Sequence, residues 1–241
     1  METQKKILAN LPHSPGIYIY KDKRGEALYV GKAKDLKKRV SQYFRKDNAV
    51  DVKTQILVSQ IAEIETIKTA SEFDALLLEA KLIHDFSPKY NVVLKDDKSP
   101  LYILLTISES LPHVLTIRKR DLPNKIKKED ALFGPFQSAG VARTLLRQIR
   151  HSIPFCTQKK RTGKPCFYSH IGLCNPCPSA DGCDKRRYRQ NIFRLKDILS
   201  GKSNTVLKEL EKDMKESARA NRFEEAALLR NHIKSLYGML A

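Results

Sequence analysis

Apolar and aromatic positions first come in two short blocks, GIYIY at 16 to 20 and ALYVG at 27 to 31, before any helical period begins. The turn-rich KDKRGE separates them, with Gly25 as the permissive position, so the pattern predicts a β-hairpin. Asp35 then opens a helix in which Leu36, Val40, Tyr43 and Phe44 recur at i, i+4, i+7 and i+8. IETIKT, 64 to 69, predicts a third strand. Ser71 with Asp74 resembles a capping box for the next helix, EFDALLLEAKLIHDF. Phe73, Leu76, Leu77, Ala80 and Ile83 form its expected buried stripe, and SPKYN stops it at Pro88.

From 95 to 137 the pattern changes to a charged turn, KDDKS, and two strand-like runs, YILLTI and HVLTIRKR. A helix is predicted over 138 to 153, followed by a cysteine segment, a basic helix near 184 to 199 and SGKSN as a linker. Residues 205 to 240 form two amphipathic stretches around ARANR, a helical hairpin. The expected fold class is α+β in three parts. Residues 1–95 form a small antiparallel sheet flanked by helices, 96–200 a mixed strand and helix region with the cysteines, and 201–241 the hairpin.

Composition adds a partner. Lys and Arg number 45 against 27 Asp and Glu, a formal charge of +18, in a chain of 241 residues. Such an excess points to a polyanion, nucleic acid before an anionic membrane surface. The charge is spread along the chain and no run approaches the roughly 20 apolar residues of a spanning helix, so no membrane partner is expected. METQKKILANLPHSPG lacks an apolar signal core, from which a cytoplasmic location is expected. All five cysteines fall between Cys156 and Cys183, which in a reducing compartment suggests a metal or cluster site before disulfides.

Candidate chemistry starts from helical geometry. At about 100° per residue, positions 32, 39 and 43 share one sector of a helix extended back to Lys32, with Leu36 and Val40 beside it. Docking by that apolar face brings Arg39 close to the strands carrying Tyr18 and Tyr29, while Glu79 borders the stripe of the later helix. A cation, two or three phenols and one carboxylate then share a cleft. The plain alternative is ordinary strand aromatics, a snorkelling arginine and a solvated glutamate.

These segments resemble the GIY-YIG nuclease family, and more closely the N-terminal half of the UvrC family of bacterial excinucleases. The matching stretches, in order and spacing, are GIY at 16 to 18, YVGKAKDLKKRVSQYF at 29 to 44, EFDALLLEAKLI at 72 to 83 and SPKYNVVLKDDKS at 87 to 99. Departures fall at Lys81, where the family often has asparagine, and in KSPLYI, where its proline is usually one position later. The resemblance implies a Mg²⁺-dependent phosphodiesterase cutting one DNA strand, with Tyr18, Tyr29, Lys32, Arg39, Tyr43, Glu79 and Asn91 in the matching catalytic positions. A lone carboxylate, Glu79, suits a single Mg²⁺ that keeps several waters. Arg39 suits phosphoryl oxygens whose charge builds in the transition state. Tyr29, beside Lys32, is placed to help deprotonate the attacking water. Asn91 is expected to position Glu79 or the backbone around it.

Cys156, Cys166, Cys174 and Cys177 are spaced C-x9-C-x7-C-x2-C, with Cys183 six residues beyond. Tetrahedral zinc and a [4Fe-4S] cluster both take four thiolates, and free thiols without metal are the third reading. His170 offers a substitute zinc ligand but reads better as a solvated loop residue. PCFYSHIGLCNPC resembles the cysteine region of the UvrC family, which implies a [4Fe-4S] cluster with Zn²⁺ as the alternative. The family usually has three residues within the last pair where CNPC has two, so Cys177 and Cys183 both remain in view as the fourth ligand.

In the hairpin, Leu207, Leu210, Met214 and Ala218 form one stripe, and Phe223, Ala226, Ala227, Arg230 and Ile233 the other. Two such short helices cannot bury both faces alone, so a partner or the chain's own body must cover one. This segment resembles the UVR motif, which implies contact with UvrB. The whole resemblance implies lesion-bearing double-stranded DNA as substrate and a single incision on the 3′ side in nucleotide excision repair. No segment up to Ala241 suggests the family's second nuclease or its helix-hairpin-helix tail, as expected of a short member or of a piece of a longer chain. The rival readings are a non-catalytic DNA-binding adaptor that recruits UvrB and a GIY-YIG nuclease outside repair.

Overall fold

The computed structural model describes residues 10–44, 52–91, 101–122, 126–136, 138–158 and 160–241. The chain divides into two compact units, Met1–Lys98, with which the last two residues are grouped, and Ser99–Met239.

The first unit is built on β1 (Gly16–Lys21), flanked antiparallel by β2 (Ala27–Ala33) and β3 (Glu63–Lys68) in the order β2-β1-β3. Helices α1 (Leu36–Tyr43), α2 (Val52–Gln60) and α3 (Glu72–Phe86) complete it. The central strand is covered on both faces, which is why GIYIY reads as a continuous apolar run. Ile17 and Ile19 join Val30 and Ala75 in one core. Tyr18 and Tyr20 point the other way, to Leu28, Leu36, Val40 and Leu57. In α3 the Ser71 hydroxyl accepts from the Asp74 N–H at 3.0 Å, as the capping pattern predicts. Ala75 and Glu79 are buried there, while Leu76 and Ile83 are only half-buried.

Lys32 is not helical. It pairs with Ile17 and Ala33 pairs with Gly16, so both stay in β2. The Asp35 carboxylate accepts from the Lys38 N–H at 2.9 Å, which starts α1 at Leu36. The single-helix sector expected for Lys32, Arg39 and Tyr43 is therefore replaced by a strand-to-helix arrangement. Lys32 belongs to the strand, with Arg39 and Tyr43 on the helix.

The second unit holds a sheet of order β5-β4-β6, from β4 (Leu101–Leu105), β5 (Val114–Arg118) and β6 (Ala131–Phe136), all antiparallel. Strand β6 has no counterpart among the elements expected from sequence, because ALFGPF carries Gly134 and Pro135. Both are tolerated here since β6 pairs only with β4 and forms an edge. Helices α4 (Ala139–Ser152), α5 (Phe167–His170), α6 (Lys185–Leu199), α7 (Ser203–Arg219) and α8 (Phe223–Leu240) follow. The charged turn KDDKS lies outside the described residues.

SGKSN is a tight turn rather than an extended linker. Gly201, at φ 79°, donates its N–H to the Ile198 carbonyl at 2.9 Å, and α7 begins two residues later. The buried Arg194 of α6 then reaches Glu209 at 3.3 Å and Asp213 at 2.5 Å on α7. Without α7 the Arg194 charge would be left buried and unpaired, which ties the pair together.

Candidate functional site

Strand β2 is an edge, so every second residue turns its backbone polar groups away from β1 and those groups need partners. The Leu28 carbonyl accepts from the Tyr90 N–H at 2.9 Å. Val30 donates its N–H to Asn91 Oδ1 and accepts from Asn91 Nδ2, both at 2.6 Å. The Lys32 N–H donates to Glu79 Oε1 at 2.8 Å. Asn91 thus occupies the place of a residue in a neighbouring strand, and Glu79 the next place along.

Glu79 is 3 % exposed. Burial pushes its carboxyl up to about 7, against the opposing pull of the Lys32 N–H and ammonium. On the adjoining face Tyr18, Tyr20, Tyr29 and Tyr43 cluster. The Tyr18 and Tyr43 hydroxyls are 3.1 Å apart, and the ring centroids of Tyr18 and Tyr29 are 6.0 Å apart. The Arg39 guanidinium lies 5.5 Å above the Tyr43 ring. Burial, followed by the neighbouring phenol Tyr43 and then Glu79, pushes Tyr29 above its ordinary value; burial does the same to Tyr18. Both are therefore neutral phenols near pH 7, able to donate a hydrogen bond.

The structure accordingly brings Tyr18, Tyr29, Arg39 and Tyr43 together, and sets Glu79, the Lys32 backbone and Asn91 along the adjacent strand edge. The Lys32 side chain is exposed. Tyr20 is a member of the cluster that the sequence pattern did not single out. It is fully buried, its ring stacks on Tyr29 at 6.1 Å and meets Tyr43 edge-on at 5.4 Å. Strict alternation with Tyr18 was the available signal.

Gly31 makes the cluster possible. It faces Tyr18 across the ladder, and a Cβ there would lie 2.5 Å from the Tyr18 phenol and 2.9 Å from the Tyr29 ring. Gly31→Ala is expected to destabilise the first unit by roughly 2 kcal/mol, since the Tyr18 ring is buried and has no room to retreat. Thermal unfolding checks this, and an unchanged midpoint would contradict it.

In the second unit Cys156, Cys166, Cys174 and Cys177 are all buried. The sulfurs of Cys156, Cys166 and Cys174 lie within 4.8 Å of one another. Cys177 Sγ adjoins them and accepts from the Cys166 N–H at 3.4 Å. Cys183 is half-buried and outside the group of three, and His170 is exposed. The bond with Cys174 pulls the Cys156 thiol down to about 6 and pushes Cys174 up. Such a buried, sulfur-only set fits a soft, four-thiolate metal centre. Asn191 of α6 secures the segment by donating to the carbonyls of Pro154 at 3.0 Å and Asn175 at 2.9 Å.

The hairpin divides its apolar residues between two faces. Val206, Leu207, Leu210, Ile233 and Leu236 are buried within the second unit, whereas Phe223 is 66 % exposed and Leu228 and Tyr237 are open to solvent. Arg230, expected on an apolar stripe, is exposed, as is Ala218.

GIY and YVG on adjacent antiparallel strands, an arginine on the following helix and a buried glutamate on the helix after β3 define a GIY-YIG domain. Residues 14–92 match the UvrC-like GIY-YIG domain, 101–197 the middle domain of UvrC/Cho excinuclease, and 204–238 the UvrB/uvrC motif. The chain belongs to the UvrC family. It is 38 % identical over 239 residues to the UvrABC system protein C of Caldanaerobacter subterraneus subsp. tengcongensis, covering 97 % of this chain and 38 % of that protein. It is 40 % identical over 239 residues to that of Streptococcus equi subsp. zooepidemicus, covering 99 % and 39 % respectively. The chain thus spans less than half the length of these curated relatives. Among solved structures it is similar to the GIY-YIG N-terminal endonuclease domain of UvrC from Thermotoga maritima bound to magnesium. That match has 38 % identity and a TM-score of 0.34, and covers 38 % of this chain and 99 % of that one. No described helix is long and apolar enough to cross a membrane.

Proposed function

We propose that this chain is a Mg²⁺-dependent endonuclease that makes one incision on the 3′ side of a lesion in double-stranded DNA, in nucleotide excision repair, after recruitment by UvrB. The observation that carries the reading is the meeting of a buried carboxylate on the β2 edge with a phenol and guanidinium cluster on the neighbouring face.

Glu79 would hold the metal. A lone carboxylate whose ionisation burial opposes is suited to a dication, which restores the charged form, and Mg²⁺ needs few protein ligands. Bound there, Mg²⁺ would supply Lewis-acid stabilisation of the charge that builds on the phosphoryl oxygens. Arg39 offers a second positive charge to the same oxygens. Lys32 fixes Glu79 through its N–H, and Asn91 fixes that stretch of β2 through both polar groups of Val30. Tyr29, a neutral phenol held by burial, orients the attacking water by hydrogen bonding, with Tyr18 and Tyr43 bracing it. The deprotonating role expected for Tyr29 from sequence would need a bound dication to offset the upward push of burial and Glu79.

The three parts would divide the work: nuclease in 1–95, a metal-stapled support in 96–200 and a recruiting hairpin in 201–241. Cys156, Cys166, Cys174 and Cys177 would hold a [4Fe-4S] cluster, or Zn²⁺ in its place, in the reducing cytoplasm. The exposed face of α8 would receive UvrB. On a lesion-bearing duplex with UvrB and Mg²⁺, a single 3′ cut is expected, and a cut without Mg²⁺ would overturn the proposal. Phe223→Glu should lower UvrB-dependent cutting by at least about tenfold, as loss of an aromatic anchor does. Its melting temperature should hold, because Phe223 is largely in solvent. Cutting indifferent to this change would refute the hairpin's role.

A further inference from the structure

From residue 131 to residue 180 the sequence contains no Asp or Glu, yet it holds Arg143, Arg147, Arg150, Lys159, Lys160, Arg161 and Lys164. In a chain with 27 acidic residues this is its most one-sided stretch of charge. Within it α5 turns aromatic side chains outward: Phe167 is 71 % exposed and Tyr168 38 %. Their rings meet edge-on at 5.8 Å. The Arg150 guanidinium backs Tyr168 at 4.3 Å, sits 4.8 Å from the Phe155 ring, and donates to the Thr157 hydroxyl at 2.9 Å. Cys166, buried with the other cysteines, anchors the start of the helix. The two rings are thus backed by Arg150 and offered to solvent, within a stretch of sequence that carries only positive charge.

We propose that Phe167 and Tyr168 form a stacking platform for unpaired DNA bases, with Lys160 and Lys164, both exposed, meeting the adjoining phosphates. Charge complementarity selects a polyanion. The exposed rings select one whose base faces are open, since a fully paired duplex hides its bases and is met by cations alone. A four-residue helix is too short to lie in a membrane surface as an amphipathic anchor. This inference rests on DNA being the substrate, as proposed above, but it uses no residue of the Glu79 site.

The chain contains no tryptophan, so Phe167→Trp places a single indole on the platform. Titration with a duplex containing an unpaired bubble is expected to quench its fluorescence, whereas a fully paired duplex of the same length should leave it nearly unchanged. Tyr168→Trp supplies a second reporter on the same helix. Replacing both rings by alanine should weaken bubble binding by roughly tenfold or more, the scale of one lost stacked base. Affinity for the paired duplex should stay within about twofold, because the lysines remain. Metal content should be unchanged, as Phe167 is mostly in solvent. Equal quenching by both duplexes, no quenching by either, or equal loss of both affinities in the double variant would overturn the platform. Glu79→Gln separates the two readings: quenching that persists without cutting keeps the platform whatever becomes of the nuclease, and cutting without quenching does the reverse.

Discussion

Glu79→Gln is expected to abolish Mg²⁺-dependent nicking, by at least about a hundredfold, while DNA affinity changes only a few fold. The amide keeps an oxygen for the Lys32 N–H, so the strand edge remains satisfied, but the negative charge that would hold a dication is gone. The lysines and arginines that would meet phosphate are untouched. The same variant makes an opposite prediction for stability without metal. In the folded protein the Glu79 carboxyl keeps its proton up to about 7, against an ordinary value of 4.5, so the folded state binds more protons between those limits. Its contribution to stability therefore falls as pH rises through that window, by about 3 kcal/mol when complete. Metal-free Glu79→Gln should melt several degrees higher than the parent at pH 8 and at nearly the same temperature near pH 4. Retained cutting would remove Glu79 from the metal site, and identical melting at pH 8 would contradict the cost of its buried charge.

Cys174→Ser is expected to lose the metal proposed for the cysteine group and with it stability of the second unit. Cys174 is fully buried, its sulfur lies with those of Cys156 and Cys166, and the segment around it has few apolar residues of its own. Metal binding then acts as folding free energy, so metal content and thermal midpoint should fall together. Cys183→Ser should keep both, because Cys183 is half-buried and outside the sulfur group. Metal analysis and the visible spectrum check this pair: brown protein rich in iron marks a cluster, and colourless protein with stoichiometric zinc marks the alternative. Full metal content in Cys174→Ser, or its loss in Cys183→Ser, would overturn the ligand assignment.

Local pattern was enough to read the β1–β2 hairpin, the Ser71 cap, α3, α4, α6 and the terminal hairpin from sequence, because alternation, helical period and capping residues act over a few positions. The ordered spacing of GIY, YVG, Arg39, Glu79 and Asn91 likewise pointed to the nuclease family. What the sequence could not decide was which atoms satisfy which. Lys32 looked helical by angle alone, yet its pairing with Ile17 keeps it in β2 and gives its N–H to a carboxylate on α3. Glu79 looked like a residue at the border of a stripe, and only the docking of α3 on β2 buries it and raises its proton affinity. Gly31 looked like a family letter until the Tyr18 ring filled the space a side chain would need. Strand β6 was hidden by Gly134 and Pro135, which a sheet edge and a local shift of register accommodate, and SGKSN became a turn because Arg194 draws α7 back onto α6. Short-range periodicity determines elements. Long-range pairing, which sets desolvation and hydrogen-bond partners, determines what their side chains can do.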